Sequence, residues 1–467
     1  MTNTNTHNRN RDILLIILFF IISRIIVTLL GIRMNQVALY LYWQYLDVET
    51  LRHHLMLGVW YDHAQPPVFN ILLGLILKLT GSGAPFVFEW VFKLISLINS
   101  LLILSMLKEI GVSRMIALFL SLLYLLSPAT LLYETELFYT TFISLFLLLT
   151  VRSLIKFEKT PGLRTGWGIF IPLAITCLTR SMYHILWFFL VIVLVFLHFR
   201  KRKIGNTWLL SAIAPFLIVF CWYLKNWVIF GTFSASTWIG MNFARNVFHD
   251  NIVTDSSKIE AYSPFSKIST YQPFISGELS RKFSGVNDRD LLKEFKNDSF
   301  VNENHIDYIE VSKKYMDASK QYVKQHPIAY LKNVAQSSLI FFTSATRYPM
   351  IEDKSDQIRY YDIIYSFNLS HFAKGKEQRR IALALSAIPK LIIYLLVFYL
   401  IIRTAIRTRD ISLYNLFIIF TILFVFGVST LLEHYENMRF RYEIEPLFLL
   451  LAGQALSVLA VSRKDAR

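Results

Sequence analysis

Charge is scarce in this sequence: charged residues make up 17% of it against 54% hydrophobic, and mean hydropathy is +0.45. A soluble domain needs more polar side chains than this to cover its surface, so that class is excluded. Cysteine is nearly absent. Cys177 and Cys221 both lie in apolar stretches, which excludes a disulfide framework and leaves two thiols as core filler. There is no P-loop, no GxGxxG and no nucleophile elbow, so ATP-driven transport finds no support. His53, His54 and His63 show no HExxH or other ligand spacing, so no metal site is assigned. Internal repeats, heptads and low-complexity tracts are missing, as are the alternating ten-residue segments of a membrane barrel.

What is present comes in blocks. Residues 13–32, 85–107, 131–151, 205–224, 381–402 and 411–430 are each apolar and long enough to cross about 30 Å of hydrocarbon as a helix. Backbone groups in lipid must satisfy one another, so helices are the expected form. The reading is an all-α polytopic membrane protein with roughly 10–12 transmembrane helices. No small-residue cleavage site follows the first block, which reads as a retained helix with Arg24 inside it.

The net charge of +16 invites a nucleic-acid reading, but the bases sit between the apolar blocks. Arg9 and Arg11 precede the first. Lys108, Arg114, Arg152, Lys156, Lys159 and Arg164 fill short connections. Arg200 to Lys203, Arg403 to Arg409 and the tail to Arg467 form denser groups. This is the positive-inside pattern of a cytoplasmic face, and no nucleic-acid partner is expected. Orientation from these anchors puts 33–66, 232–328 and 431–446 outside. Three units follow: 1–231 with the first outside loop, the extracytoplasmic insertion 232–328, and C-terminal transmembrane helices over 329–467. The apolar stretch 329–345 dips into the membrane without crossing. Between the first helix and Arg200 the apolar blocks number one too many for this parity. One is re-entrant or two form a broken helix, with Pro128, Pro172 and Arg180 as the expected breaks. Asn297-Asp298-Ser299 and Asn368-Leu369-Ser370 match glycosylation sequons, a triplet that also arises by chance.

Three clusters carry candidate chemistry. The first outside loop packs Tyr42, Trp43, Gln44, Asp47, Glu49, His53, His54, Trp60, Asp62, His63 and Gln65 into a short span ending at Pro66-Pro67. An interfacial aromatic belt is the plain reading; a partly desolvated carboxylate serving as general base is the sharper one. Proline at Pro66-Pro67 suits the first turn of the next helix. The second cluster, Trp222 to Gly231 and Ser236 to Asn242, includes Lys225, either a snorkelling anchor or a cation at phosphate depth. Gly231 and Gly240 would allow close backbone approach. In the third, Glu433 to Pro446, Arg439 and Arg441 lie outside, against the positive-inside trend. They are phosphate ligands or part of a network with Glu443 and Glu445.

Taken in order, these clusters resemble the GT-C superfamily of membrane glycosyltransferases, in its protein mannosyltransferase and aminoarabinose-transferase-like branch. The resemblance is carried by Asp62-His63-Ala64-Gln65-Pro66-Pro67, by Lys225-Asn226-Trp227 with Phe230-Gly231, by Arg439-Phe440-Arg441 with Glu445-Pro446, by Glu134-Thr135-Glu136-Leu137-Phe138, and by Leu178-Thr179-Arg180. Two departures stand out: Lys225 replaces the family's Arg, and the first-loop acids are spaced as Asp47 and Glu49. The resemblance implies sugar transfer from a polyprenyl-phosphate donor at the outer face of a bacterial inner membrane, with the acceptor a protein, lipid or glycan. It implies Asp47 as general base with Glu49 second. Lys225, Arg439 and Arg441 become the phosphate ligands, joined by Arg180 or Arg245. Asp62, His63, Gln65, Asn226 and Glu136 become positioning groups. A divalent cation is compatible with this chemistry and not implied by it. The rivals are a transporter or flippase for a lipid-linked or anionic substrate, and an O-antigen-ligase-like enzyme.

Overall fold

The computed structural model describes residues 2–201, 206–248, 281–286, 289–296 and 300–465. The sequon at Asn297 and part of the basic group at Arg200 to Lys203 lie outside them, as does much of the insertion 232–328. The protein is an all-α polytopic membrane protein: among the described residues there are helices and two isolated bridges, with no strand. Among the described residues seven helical stretches are long and apolar enough to cross a membrane. Three shorter apolar helices, α7 (Arg114–Leu126), α10 (Leu163–Thr179) and α11 (Ile185–Lys201), pack among them.

One end of the bundle is tied by the basic residues. Asp12 on the first helix, α1 (Thr2–Leu29), pairs with Lys108 at 2.5 Å and with Arg114 at 2.7 Å. Glu109 pairs with Lys159, and Glu158 lies near His198. The opposite end carries the long loops, where Asn35 N donates to the Thr135 carbonyl at 2.8 Å.

The surplus apolar block is α5 (Pro67–Thr80), not a segment broken at Pro172 or Arg180. Its first turn meets the loop end, where Asn70 Nδ2 donates to Asp62. Its far end reaches Gly81 and Ser82, which share a small cavity with Met34, Asn35 and Arg52 at the same end. A fourteen-residue helix with both ends in one layer does not cross. The next helix, α6 (Ala84–Glu109), does. Pro66 and Pro67 stand at the cap and first position of α5, as expected. Pro128 separates α7 from a one-turn continuation, and Arg180 ends α10, while Pro172 stays inside it.

Helix Pro327–Phe341 keeps to the loop end, with Tyr330 Oη donating to the Leu431 carbonyl and Asn333 to those of Asn246 and Val247. Short helices Pro349–Gln357 and Arg359–Ser366 follow in the same layer, unforeseen in the sequence, before the long helix Lys376–Thr408 descends. Asn368 of the second sequon is buried there, its amide donating to Asp362 at 2.7 Å. The two glycines separate in role. Gly240 lies against the Ser312 carbonyl so closely that a Cβ would stand 1.9 Å from it. Gly231 has φ +70 and caps a helix with open space around it.

Arg24 is the charge in the first span. Its Nε and Nη2 donate to the two Glu134 oxygens at 2.8 and 2.7 Å, and both side chains are buried. A charge at that depth persists only with a partner. Arg24→Met should therefore strand Glu134 and cost about 3–5 kcal/mol of stability in detergent. Arg24→Met with Glu134→Leu should recover most of it, and equal thermal stability of the single variant and wild type would contradict the account.

Candidate functional site

A cavity of about 320 Å³ opens at the loop end. The turn after α10 supplies Arg180, Ser181 and His184, and helix Ile239–Phe248 supplies Asn242 and Arg245. The first loop supplies Trp43, Gln44 and Gln65. The junction of the last two helices supplies Glu433, Glu436 and Arg439. One wall is apolar: Leu186, Phe424, Val428 and Leu432 belong to two membrane helices, and Leu186 is 56% exposed on the bundle flank.

Helical geometry sorts the arginines. The last helix begins at Asn437, so Arg439 and Arg441 stand in its first turns and not in a loop over 431–446. Residues two apart on a helix face different ways. Arg439 faces the cavity, whereas Arg441 turns away to the Phe341 and Thr343 carbonyls and to Glu445. Arg439 is buried and held by Glu436 through Nη2, while its Nε and Nη1 have no hydrogen-bond partner. Its guanidinium lies over Phe138, 4.3 Å from the ring centre. Arg180 pairs with Glu443, one turn beyond Arg439 on the last helix, and stacks on Phe440 at 3.9 Å. Arg245 Nη1 lies 3.4 Å from Glu436 and 3.6 Å from Glu433.

The two cavity carboxylates differ. Burial pushes Glu433 up to about 7, against the pull of Arg245. Burial also acts on Glu436, but Arg439, Arg245 and Arg180 outweigh it and hold it below the usual carboxylate range.

The remaining expected site residues lie off the cavity. Asp47 is buried; its Oδ1 accepts from Glu49 N and caps helix Val48–His53. Glu49 is half-exposed beside His53. Lys225 Nζ donates to the Trp60 and Asp62 carbonyls at 3.1 and 2.7 Å and sits over Trp222. It ties the first loop to the mid-chain helix Leu210–Phe230. Asn226 donates to the Ser234 carbonyl. Glu136 is buried and accepts from Tyr42 Oη at 2.6 Å and from Asn35, with Lys354 beside it. Gln65 lines the cavity, whereas Asp47, Glu49, Asp62 and His63 of the same loop do not. Glu433 and Glu436 were not singled out, since nothing local in the sequence places them opposite Arg180 and Arg245. Among the described residues no cluster of three or more His, Cys, Asp or Glu is arranged to hold a metal.

No family model matches the chain, and no curated protein matches it significantly in sequence.

Asp62 and His63 buttress the rim with opposite electrostatics. Asp62 accepts from Ala64 N, Gln65 N and Asn70, and burial pushes it up to about 7. His63 meets Thr237 Oγ1 at 2.8 Å, and burial with Lys225 nearby lowers it to about 3. The folded state holds the Asp62 proton more tightly than the unfolded chain, so that stability is lost as pH rises from about 4 to 7. The folded state resists protonating His63, so that stability is lost as pH falls below about 6.5. The slopes oppose each other. Between about pH 5 and 6.5, thermal stability should rise with pH more steeply in Asp62→Asn than in wild type, and less steeply in His63→Gln. Identical slopes in all three proteins would contradict the assignment.

Proposed function

We propose that the protein is a membrane glycosyltransferase that moves a sugar from a polyprenyl-phosphate donor to an acceptor at the extracytoplasmic face of a bacterial inner membrane. The observation that carries this reading is Arg439, buried with two unpartnered donors, in a cavity shared with Arg180 and Arg245. Such donors suit a phosphate, which accepts several charge-assisted hydrogen bonds at once. The apolar wall of Leu186, Phe424, Val428 and Leu432 suits the isoprenoid chain of the same molecule. Trp43, Tyr139 and Trp238 offer aromatic surface to a sugar ring.

The phosphate is an anion as it leaves, so it needs neutralisation and no proton. Arginines fixed beforehand by Glu436, Glu443 and aromatic faces provide that without rearranging. The positive-inside trend supports a cytoplasmic side for the basic end of the bundle and hence an extracytoplasmic side for the cavity. A transporter fits less well: its substrate site belongs near the bilayer midplane, between repeats, and this cavity lies at one end.

The test is transfer of label from radiolabelled polyprenyl-phosphate hexoses and pentoses to membrane acceptors by purified protein. Wild type should transfer from one donor, and Arg439→Met, compared at a temperature where both proteins are folded, should turn over about 10²–10³ more slowly. Movement of donor across liposomes without transfer would favour the transporter instead.

A further inference from the structure

We infer that Glu433 is the general base of this transfer, and that no acid of the first loop serves. The inference rests on the transferase reading. It comes from asking which carboxylate has a lone pair free to face a substrate. Asp47 caps a helix, and Asp62 accepts from two backbone amides and one side-chain amide. Glu136 is buried under Tyr42, Asn35 and Lys354, and Glu134 is held by Arg24. Glu49 lies toward solvent beside His53. Among the described residues the cavity is lined by Glu433 and Glu436. Glu436 is engaged by Arg439 and Arg245. Glu433 Oε2 is buried with no hydrogen-bond partner, and Arg245 stands 3.6 Å away, beyond hydrogen-bonding reach.

A base works best when its proton affinity lies near the operating pH. Burial brings Glu433 there, while Glu436, under three arginines, is too weak a base. The division is physical: one acid holds the phosphate-binding arginines, and the other stays available. In the step, the acceptor hydroxyl gives its proton to Glu433 Oε2 as its oxygen forms a bond to the anomeric carbon. The bond from that carbon to the phosphate oxygen breaks, and the electron pair leaves on polyprenyl phosphate, beside Arg180, Arg245 and Arg439. The proton on Glu433 passes to water as products depart.

The experiment measures both donor binding and single-turnover transfer in the full-length protein, with the polyprenyl-phosphate sugar that wild type uses. Glu433→Gln should bind donor at least as tightly as wild type, since a negative charge has been removed, and transfer about 10²–10⁴ more slowly. Glu433→Asp should restore part of the rate. Asp47→Asn, which keeps a good helix cap, should transfer like wild type. Folded Glu433→Gln transferring within a few-fold of wild type overturns the assignment, as does loss of transfer in Asp47→Asn alone. Wild type that binds every donor and transfers none overturns the transferase reading, and this inference falls with it.

Discussion

The site depends on the cost of removing charge from water. Six ionisable side chains converge where the last membrane helix begins, and none would be stable there alone. Arg180 needs Glu443, Arg439 needs Glu436, and Arg245 sits between Glu436 and Glu433. These pairs join α10, helix Ile239–Phe248 and the last helix, so the charges that shape the cavity also fix the elements around it. The pairing is incomplete at Arg439, which keeps two buried donors without a hydrogen bond, and at Glu433 and Glu443, which each keep one such oxygen. Incomplete pairing in a desolvated place is costly, and a ligand that completes it recovers that cost.

The same principle operates elsewhere in the bundle with the opposite outcome. Arg24 and Glu134 satisfy each other, with the Leu125 carbonyl also accepting from Arg24. Arg441 is fully engaged by two carbonyls and Glu445, and Lys225 by two carbonyls. These cations hold the scaffold. What separates a structural cation from a ligand-binding one is the number of donors left over, a property that residue type does not reveal.

Much of the fold was legible in the sequence, because apolar block length and the placement of basic residues are direct consequences of the bilayer. The exception was α5, as apolar as a crossing helix yet lodged at one end. Its fate is decided by Asn70 meeting Asp62 eight residues earlier and by Gly81 coming to line one small cavity with Asn35. The site was partly legible. Arg180, Arg245, Arg439 and Gln65 are brought together. The two-residue spacing of Arg439 and Arg441, once set on a helix, already implies that they cannot share a cavity. Asp47 before a short helix was equally readable as a cap. Glu433 was not legible: its significance is an unpartnered oxygen, which exists only after every neighbour has been placed.

The most direct test of the three-arginine cavity as a lipid-phosphate site is a cryo-electron microscopy structure in lipid nanodiscs with a polyprenyl-phosphate sugar bound. Phosphate density is expected within hydrogen-bonding distance of Arg439 and beside Arg180 and Arg245, with the isoprenoid chain leaving past Leu186 and Phe424. Phosphate density at Lys225 or Arg441, with the Arg439 cavity empty, would contradict it.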